Sequence, residues 1–186
     1  MNPDGAIEML IREHRIILQV IEGLGGLARH LREGRGVDVA QLREAAAFMR
    51  EFADDCHHAK EKDLLYPACM DYGLQLRGHP MAALLEERQE SRQLEGQLAD
   101  STKEYVAHRA GAGALIATVI AAIAKLYSRH IRDEEKLVFP MVKLVLPVET
   151  HSRLYAQFEE VDARNPPGTH ERFHEFANRL AATAAQ

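Results

Sequence analysis

Apolar positions recur along this chain at intervals of three and four, and no clear run alternates with period two. Nearly every segment therefore reads as an amphipathic helix. The first spans about 6–31, with an inward stripe of Ile7, Leu10, Ile11, His14, Ile17, Leu18, Ile21 and Leu24, and "EGRG" at 33–36 closes it. The second starts after Asp38, an expected N-cap, turns Leu42, Ala46, Met49, Ala53, His57, Glu61 and Leu64 inward, and ends around Tyr72-Gly73. "RGHP" at 77–80 opens a third, since proline suits a first helical position; its apolar residues are Leu84, Leu85, Leu94 and Leu98. After "HRAGAGA" at 108–114 a fourth carries Leu115, Val119, Ile123, Tyr127, His130, Glu134, Leu137 and Met141. Pro147 punctuates, and a fifth helix at about 149–163 shows Leu154, Phe158 and Val161. "NPPGT" breaks it, Thr169 is expected to cap a last helix with Phe173, Phe176 and Leu180, and the terminal "AATAAQ" is expected to fray. Four long helices with short connections predict an all-α, up-down-up-down four-helix bundle over about 6–146. A C-terminal helical extension follows over about 147–183, and no boundary divides the chain, so 1–186 reads as one domain.

The polar residues within these stripes carry the chemistry. His14, His57 and His130 stand where Leu or Ile is called for, each on a different helix, and Glu61 and Glu134 follow two of them by four residues. Positions i and i+4 differ by about 40° around a helix, so each His/Glu pair projects to one side. The pairs belong to an eleven-residue pattern written twice, 73 positions apart: "HHAKEKDLLYP" at 57–67 and "HIRDEEKLVFP" at 130–140. An acid on a core face is costly without a partner. A metal cluster supplies one, and imidazole with carboxylate but no cysteine suits iron or manganese in a bundle core. The bland reading, hydrogen-bonded core histidines, holds for any one residue but poorly for all five in a duplicated motif. His58 is expected outward with Asp54, Asp55 and Lys62, as support or surface. Cys56 reads as a small buried thiol; Tyr66 and Phe139 read as core caps one turn below, with Tyr66 and Tyr127 candidates for hydrogen bonds near the metals. His170 and His174 share i,i+4 spacing on a short polar-flanked helix and are not taken as a second metal site. His30, His79, His108 and His151 lie near helix ends.

Composition narrows the classes. With 46% hydrophobic residues over 186 positions the chain can bury a real core. A net charge of -5 argues against nucleic acid, and Arg29, Arg32 and Arg35 alternate with acids as a solvated surface would. Cys56 and Cys69, if on one helix, are about 20 Å apart and cannot bridge. Reduced thiols and no signal peptide predict a cytoplasmic protein. The most apolar run, "AGAGALIATVIAAIA" at 110–124, has 15 residues. That is short of the roughly 20 a membrane span needs. No nucleophile triad, phosphate loop or dinucleotide fingerprint is present.

The motifs "HHAKEKDLLYP" and "HIRDEEKLVFP", with a lone His14 before them, resemble the hemerythrin-like, HHE cation-binding family over about residues 6–146. The resemblance implies a non-haem centre of two irons, oxo- or hydroxo-bridged, ahead of manganese or zinc. His14, His57 and His130 would be nitrogen ligands, with Glu61 and Glu134 bridging. It also implies small partners, namely oxygen, peroxide or nitric oxide, or a role in handling iron. The third helix departs from the pattern: in "HPMAALLEERQESR" at 79–92, Arg88 stands where the family has a histidine. Arginine stays protonated and is a poor ligand. Two repairs are open: Glu87 turns inward and ligates, completing the set His14, His57, Glu61, Glu87, His130 and Glu134, or Glu95 reaches in or pairs with Arg88. Arg88 beside a bound anion would suit peroxide chemistry better than reversible oxygen carriage. The alternatives are thus a catalase-like diiron enzyme, and a metal-free helical interaction module whose His/Glu pairs have drifted.

Overall fold

The computed structural model describes residues 5–75 and 80–184. The expected opening "RGH" with His79, and the last two residues of the tail, lie outside them. Among the described residues there is no strand. The first rod is α1 (Gly5–Arg32). The second is continuous through α2 (Val39–Phe48), the π-helical segments π1 (Met49–His58) and π2 (Glu61–Leu65), and α3 (Tyr66–Asp71). The third is α4 (Pro80–Val106). The fourth joins α5 (Ala112–Asp133), π3 (Glu134–Val138) and α6 (Phe139–Val145). α7 (Val148–Ala163) and α8 (Thr169–Ala184) follow.

Pairs at known depths establish the up-down-up-down order. Arg32 donates to the Ala117 carbonyl near one end of α1, while His14 meets Glu135 toward the other, so α1 and the fourth rod are antiparallel. Val37, just before α2, donates to the Tyr105 hydroxyl near the end of α4, while Arg88 meets Asp54 further along, so the third rod is antiparallel to the second. Gly113 lies beside Tyr105 while Glu87 meets His130, so it is antiparallel to the fourth as well. Glu13 meets His57. The apolar side chains form two layers. One runs through Ile17, Leu24, Phe48, Phe52, Ile120 and Phe176. The other gathers Ile7, Leu10, Leu65, Phe139, Leu154 and Phe158. The histidines and glutamates of the stripes lie between these layers.

Local chemistry explains the ends. The Asp38 carboxylate accepts from the Ala40 N–H at 2.8 Å, capping α2 as expected. Thr169 is the first residue of α8, but its hydroxyl donates back to the Pro166 carbonyl instead of capping. α8 continues to Ala184, through most of the tail expected to fray. It packs on α1 at Gly23, where an added Cβ would lie 2.5 Å from Leu180 Cγ. An 18-residue stretch within 112–145 has mean hydropathy 1.4, enough by length and composition to cross a membrane. Ile116, Ile120, Ile123 and Tyr127 of that rod are buried in the bundle.

Two of the π-helical turns, π2 and π3, have a cause legible in the duplicated motif. Each copy ends in proline, Pro67 or Pro140. A proline inside a helix has no N–H for the carbonyl four residues back, and its ring crowds that carbonyl. The preceding residue therefore bonds five back: Tyr66 N–H to the Glu61 carbonyl, and Phe139 N–H to the Glu134 carbonyl. Both copies open into the same wide turn, of a kind found often at functional sites. The wider turn moves the inward face by one residue. Leu65 and Val138 are buried, whereas the expected Leu64 is half-buried and Leu137 is 50% exposed. Leu18 and Leu115 also leave their stripes, because the buried arcs run through Ile17 and Ile21 and through Ile116 and Ile120.

Candidate metal centre

Three rods deliver the polar layer. α1 brings Glu13 and His14, π1 brings His57 and His58, π2 starts at Glu61, and the fourth rod supplies His130, Glu134 and Glu135. His14 Nε2 lies 3.2 Å from Glu134 Oε2 and 3.9 Å from Glu61 Oε1. His57 Nε2 is 3.4 Å from Glu61 Oε1, and His130 Nε2 is 3.4 Å from Glu134 Oε1. The structure thus brings together five of the predicted residues: His14, His57, Glu61, His130 and Glu134. All are buried. Ligand atoms of His14, His57, Glu61 and Glu134 lie within 4.8 Å of one another, as do those of His58, Glu61 and His130.

The far side of each imidazole is held by another acid. His14 Nδ1 is 2.9 Å from Glu135, His57 Nδ1 is 2.9 Å from Glu13, and His130 Nδ1 is 3.0 Å from Glu87. A carboxylate at Nδ1 holds a proton there, so Nε2 is the nitrogen that would bind a cation, giving up any proton of its own. The Nε2 atoms of His14, His57, His58 and His130, with Glu61 Oε1 and Glu134 Oε2, make no hydrogen bond. Each such buried atom costs about 1–3 kcal/mol if unmet. Divalent cations would meet all of them at once, so the donor set fits a metal.

Protonation follows the crowding. Burial raises Glu61 well above an ordinary carboxyl, and the neighbouring Glu134 carboxylate raises it further. Burial works the same way on Glu134, but His130 and His14 outweigh it and hold it ionised. Burial alone would lower His130; Glu134 and Glu87 instead push it up to about 10. His57 is lowered by burial and by the facing His14. The cluster therefore carries protons that cations would displace, and loading would release them.

Three expectations are corrected. Glu87 does not turn inward: it sits behind His130, with its other oxygen 2.9 Å from Arg129 Nε. A glutamate on that face of α4 reaches the outer edge of the imidazole first. Glu95 neither reaches the Nε2 cluster nor pairs with Arg88. It accepts from Ser91 at 2.7 Å and Tyr127 at 3.2 Å, and burial raises its pKa to about 7. Arg88 points to the second rod, where its Nε lies 2.8 Å from Asp54. His58 is not on the wet side. Both it and Asp54 are 2% exposed, while Asp55 and Lys62 are exposed as expected. Consecutive residues on π1 turn to different sides of the bundle axis, His57 toward α1 and His58 toward Tyr127 and His130.

Several supporting residues were not foreseen. Glu13 and Glu135 each adjoin a stripe residue, and Lys60 lies inside the first motif. A charged residue directly beside an inward histidine or glutamate was the available signal. Lys60 is fully buried, its ammonium bridging Glu13 and Asp162. Tyr66, a candidate from the sequence, donates to Glu134 Oε1 at 2.8 Å. Cys56 is buried and donates to Asp162 at 2.9 Å. His170 turns away from the exposed His174 to that same carboxylate, at 3.2 Å. Ligand atoms of Cys56, Asp162 and His170 lie within 4.8 Å. The Lys60 ammonium already neutralises that corner.

Compared with known proteins, residues 5–142 match the family model described as the hemerythrin HHE cation binding domain. No curated protein and no solved structure matches.

Proposed function

The chain belongs to the hemerythrin HHE cation-binding family, and on that premise we propose that its His/Glu layer is a cytoplasmic two-iron, non-haem centre. Its ligand is oxygen, peroxide or nitric oxide. One observation carries the reading: unpartnered imidazole Nε2 atoms from three rods converge on two buried carboxylates with free oxygens. His14 and His57 would hold one ion, His130 the other, and Glu61 and Glu134 both. Iron there would supply electrons and an open coordination position. The chain does the rest. Glu135, Glu13 and Glu87 hold the imidazole protons at Nδ1 and fix the rings. Tyr66 donates to Glu134 and steadies that carboxylate. The apolar layers on either side exclude water. Arg88, the residue that would favour a peroxide-degrading enzyme, is engaged by Asp54, so ligand binding is the preferred reading.

The test is anaerobic loading with ferrous iron, followed by oxygen, peroxide or nitric oxide. New near-ultraviolet and visible absorption should appear with at least one ligand and be lost in Glu134→Gln. No spectral change with any of the three would sink the proposal.

A further inference from the structure

The proposed centre is lopsided: two histidines, His14 and His57, would hold one ion, and His130 alone the other. We propose that His58 is the fourth imidazole ligand, and that Arg88 positions it through Asp54. This rests on the two-metal reading above.

Four observations support it. His58 Nε2 has no hydrogen-bond partner although the residue is 2% exposed. Its ring stands edge-on to His130 with centroids 5.1 Å apart, and ligand atoms of His58, Glu61 and His130 fall within 4.8 Å. The ring is locked from behind. Tyr127 stacks on it at 5.7 Å, and the Tyr127 hydroxyl is tied to Ser91 and Glu95. A carboxylate also stands on the Nδ1 side of His58, with Asp54 Oδ1 3.7 Å away, beyond hydrogen-bond distance. Asp54 is itself clamped by Arg88 at 2.8 Å and Arg92 at 2.6 Å. Neither ring nitrogen of His58 makes a hydrogen bond, whereas most buried polar atoms find a partner.

The arrangement accounts for the third helix. A ligand on π1, one residue after His57, does what a histidine on α4 would otherwise do. The α4 position is then free for an arginine whose carboxylate partner aims the replacement. With His58 included, His14 and His57 would hold one ion and His58 and His130 the other, with Glu61 and Glu134 available to both.

The experiment counts iron per chain after anaerobic ferrous loading and desalting. Wild type should hold about two and His58→Gln about one. Asp54→Asn should still reach about two, but with the second ion bound about 10–100-fold more weakly. Two irons in His58→Gln overturn the role of His58 while leaving the two-metal reading intact; fewer than one in wild type overturns both. If His58→Gln does not fold, wild-type protein labelled with nitrogen-15 and titrated with Zn(II) decides. Four imidazole Nε2 resonances, from His14, His57, His58 and His130, should move together. Movement of only three overturns the inference.

Discussion

Replacing Lys60 by methionine isolates how far the fold depends on the acids behind its histidines. Lys60 is fully buried, with its ammonium against Glu13 and 2.5 Å from Asp162 Oδ1. Glu13 in turn holds His57 Nδ1 at 2.9 Å. Methionine fills much of the same volume but leaves the buried Glu13 carboxylate facing His57 alone. Removing one partner of a buried ion pair costs about 3–5 kcal/mol, a large share of the 5–15 kcal/mol that roughly bounds domain stability. Asp162 adds less, since its side chain is 24% exposed and keeps Cys56 and His170. Adding Glu13→Gln should recover part of the loss, because no uncompensated charge then remains. Urea denaturation of the metal-free proteins, followed by far-ultraviolet circular dichroism, measures both. A single-variant loss below about 1 kcal/mol, the worth of an exposed pair, would refute the argument. So would a double variant less stable than Lys60→Met.

Two further predictions concern packing and pH. Gly23→Ala should lower the melting temperature, because its Cβ would press 2.5 Å from Leu180 Cγ and 3.1 Å from the Leu180 backbone, an overpacking worth about 1–3 kcal/mol. Gly25→Ala meets nothing within 4 Å and should raise it, by the roughly 0.5–1 kcal/mol that alanine gains over glycine in a helix. A rise in the first or a fall in the second contradicts the α1–α8 packing. The Asp162–His170 pair has a pH window. Burial opposes ionisation of Asp162, but His170, Cys56 and Lys60 lower its pKa to about 2, so its contribution is present above 3.8 and lost as pH falls toward 2. His170 is raised chiefly by its bond to Asp162, so its contribution is full below 6.5 and fades as pH rises through the folded value. The stability gap between wild type and Asp162→Asn should therefore be widest between 3.8 and 6.5, and a flat profile would contradict the pairing.

Much of the His/Glu cluster is legible in the sequence. His57, Glu61, His130 and Glu134 announce themselves by the duplicated motif, and His14 by interrupting an apolar stripe. What escaped has one main cause, the period assumed. At 3.6 residues per turn His58 falls outside and Leu137 inside. The π-helical segments reverse both. Pro67 and Pro140, at matching places, signal the turns at Glu61–Leu65 and Glu134–Val138, but no proline marks Met49–His58, where His58 sits. Glu87 and Arg88 escaped differently. A helical wheel says which way a residue on α4 points, but not that an imidazole edge or a carboxylate already stands in its path. Glu13, Lys60 and Glu135 are charged neighbours of apolar-stripe residues, and such residues read as solvent-facing until three rods are packed together.

The central claim is tested most directly by the metal content of the wild-type protein. After anaerobic ferrous loading and desalting, elemental analysis should give about two irons per chain, released together on acidification as the carboxylates and imidazoles take protons. Fewer than about one iron per chain at stoichiometric excess would contradict it and leave the bundle a metal-free scaffold.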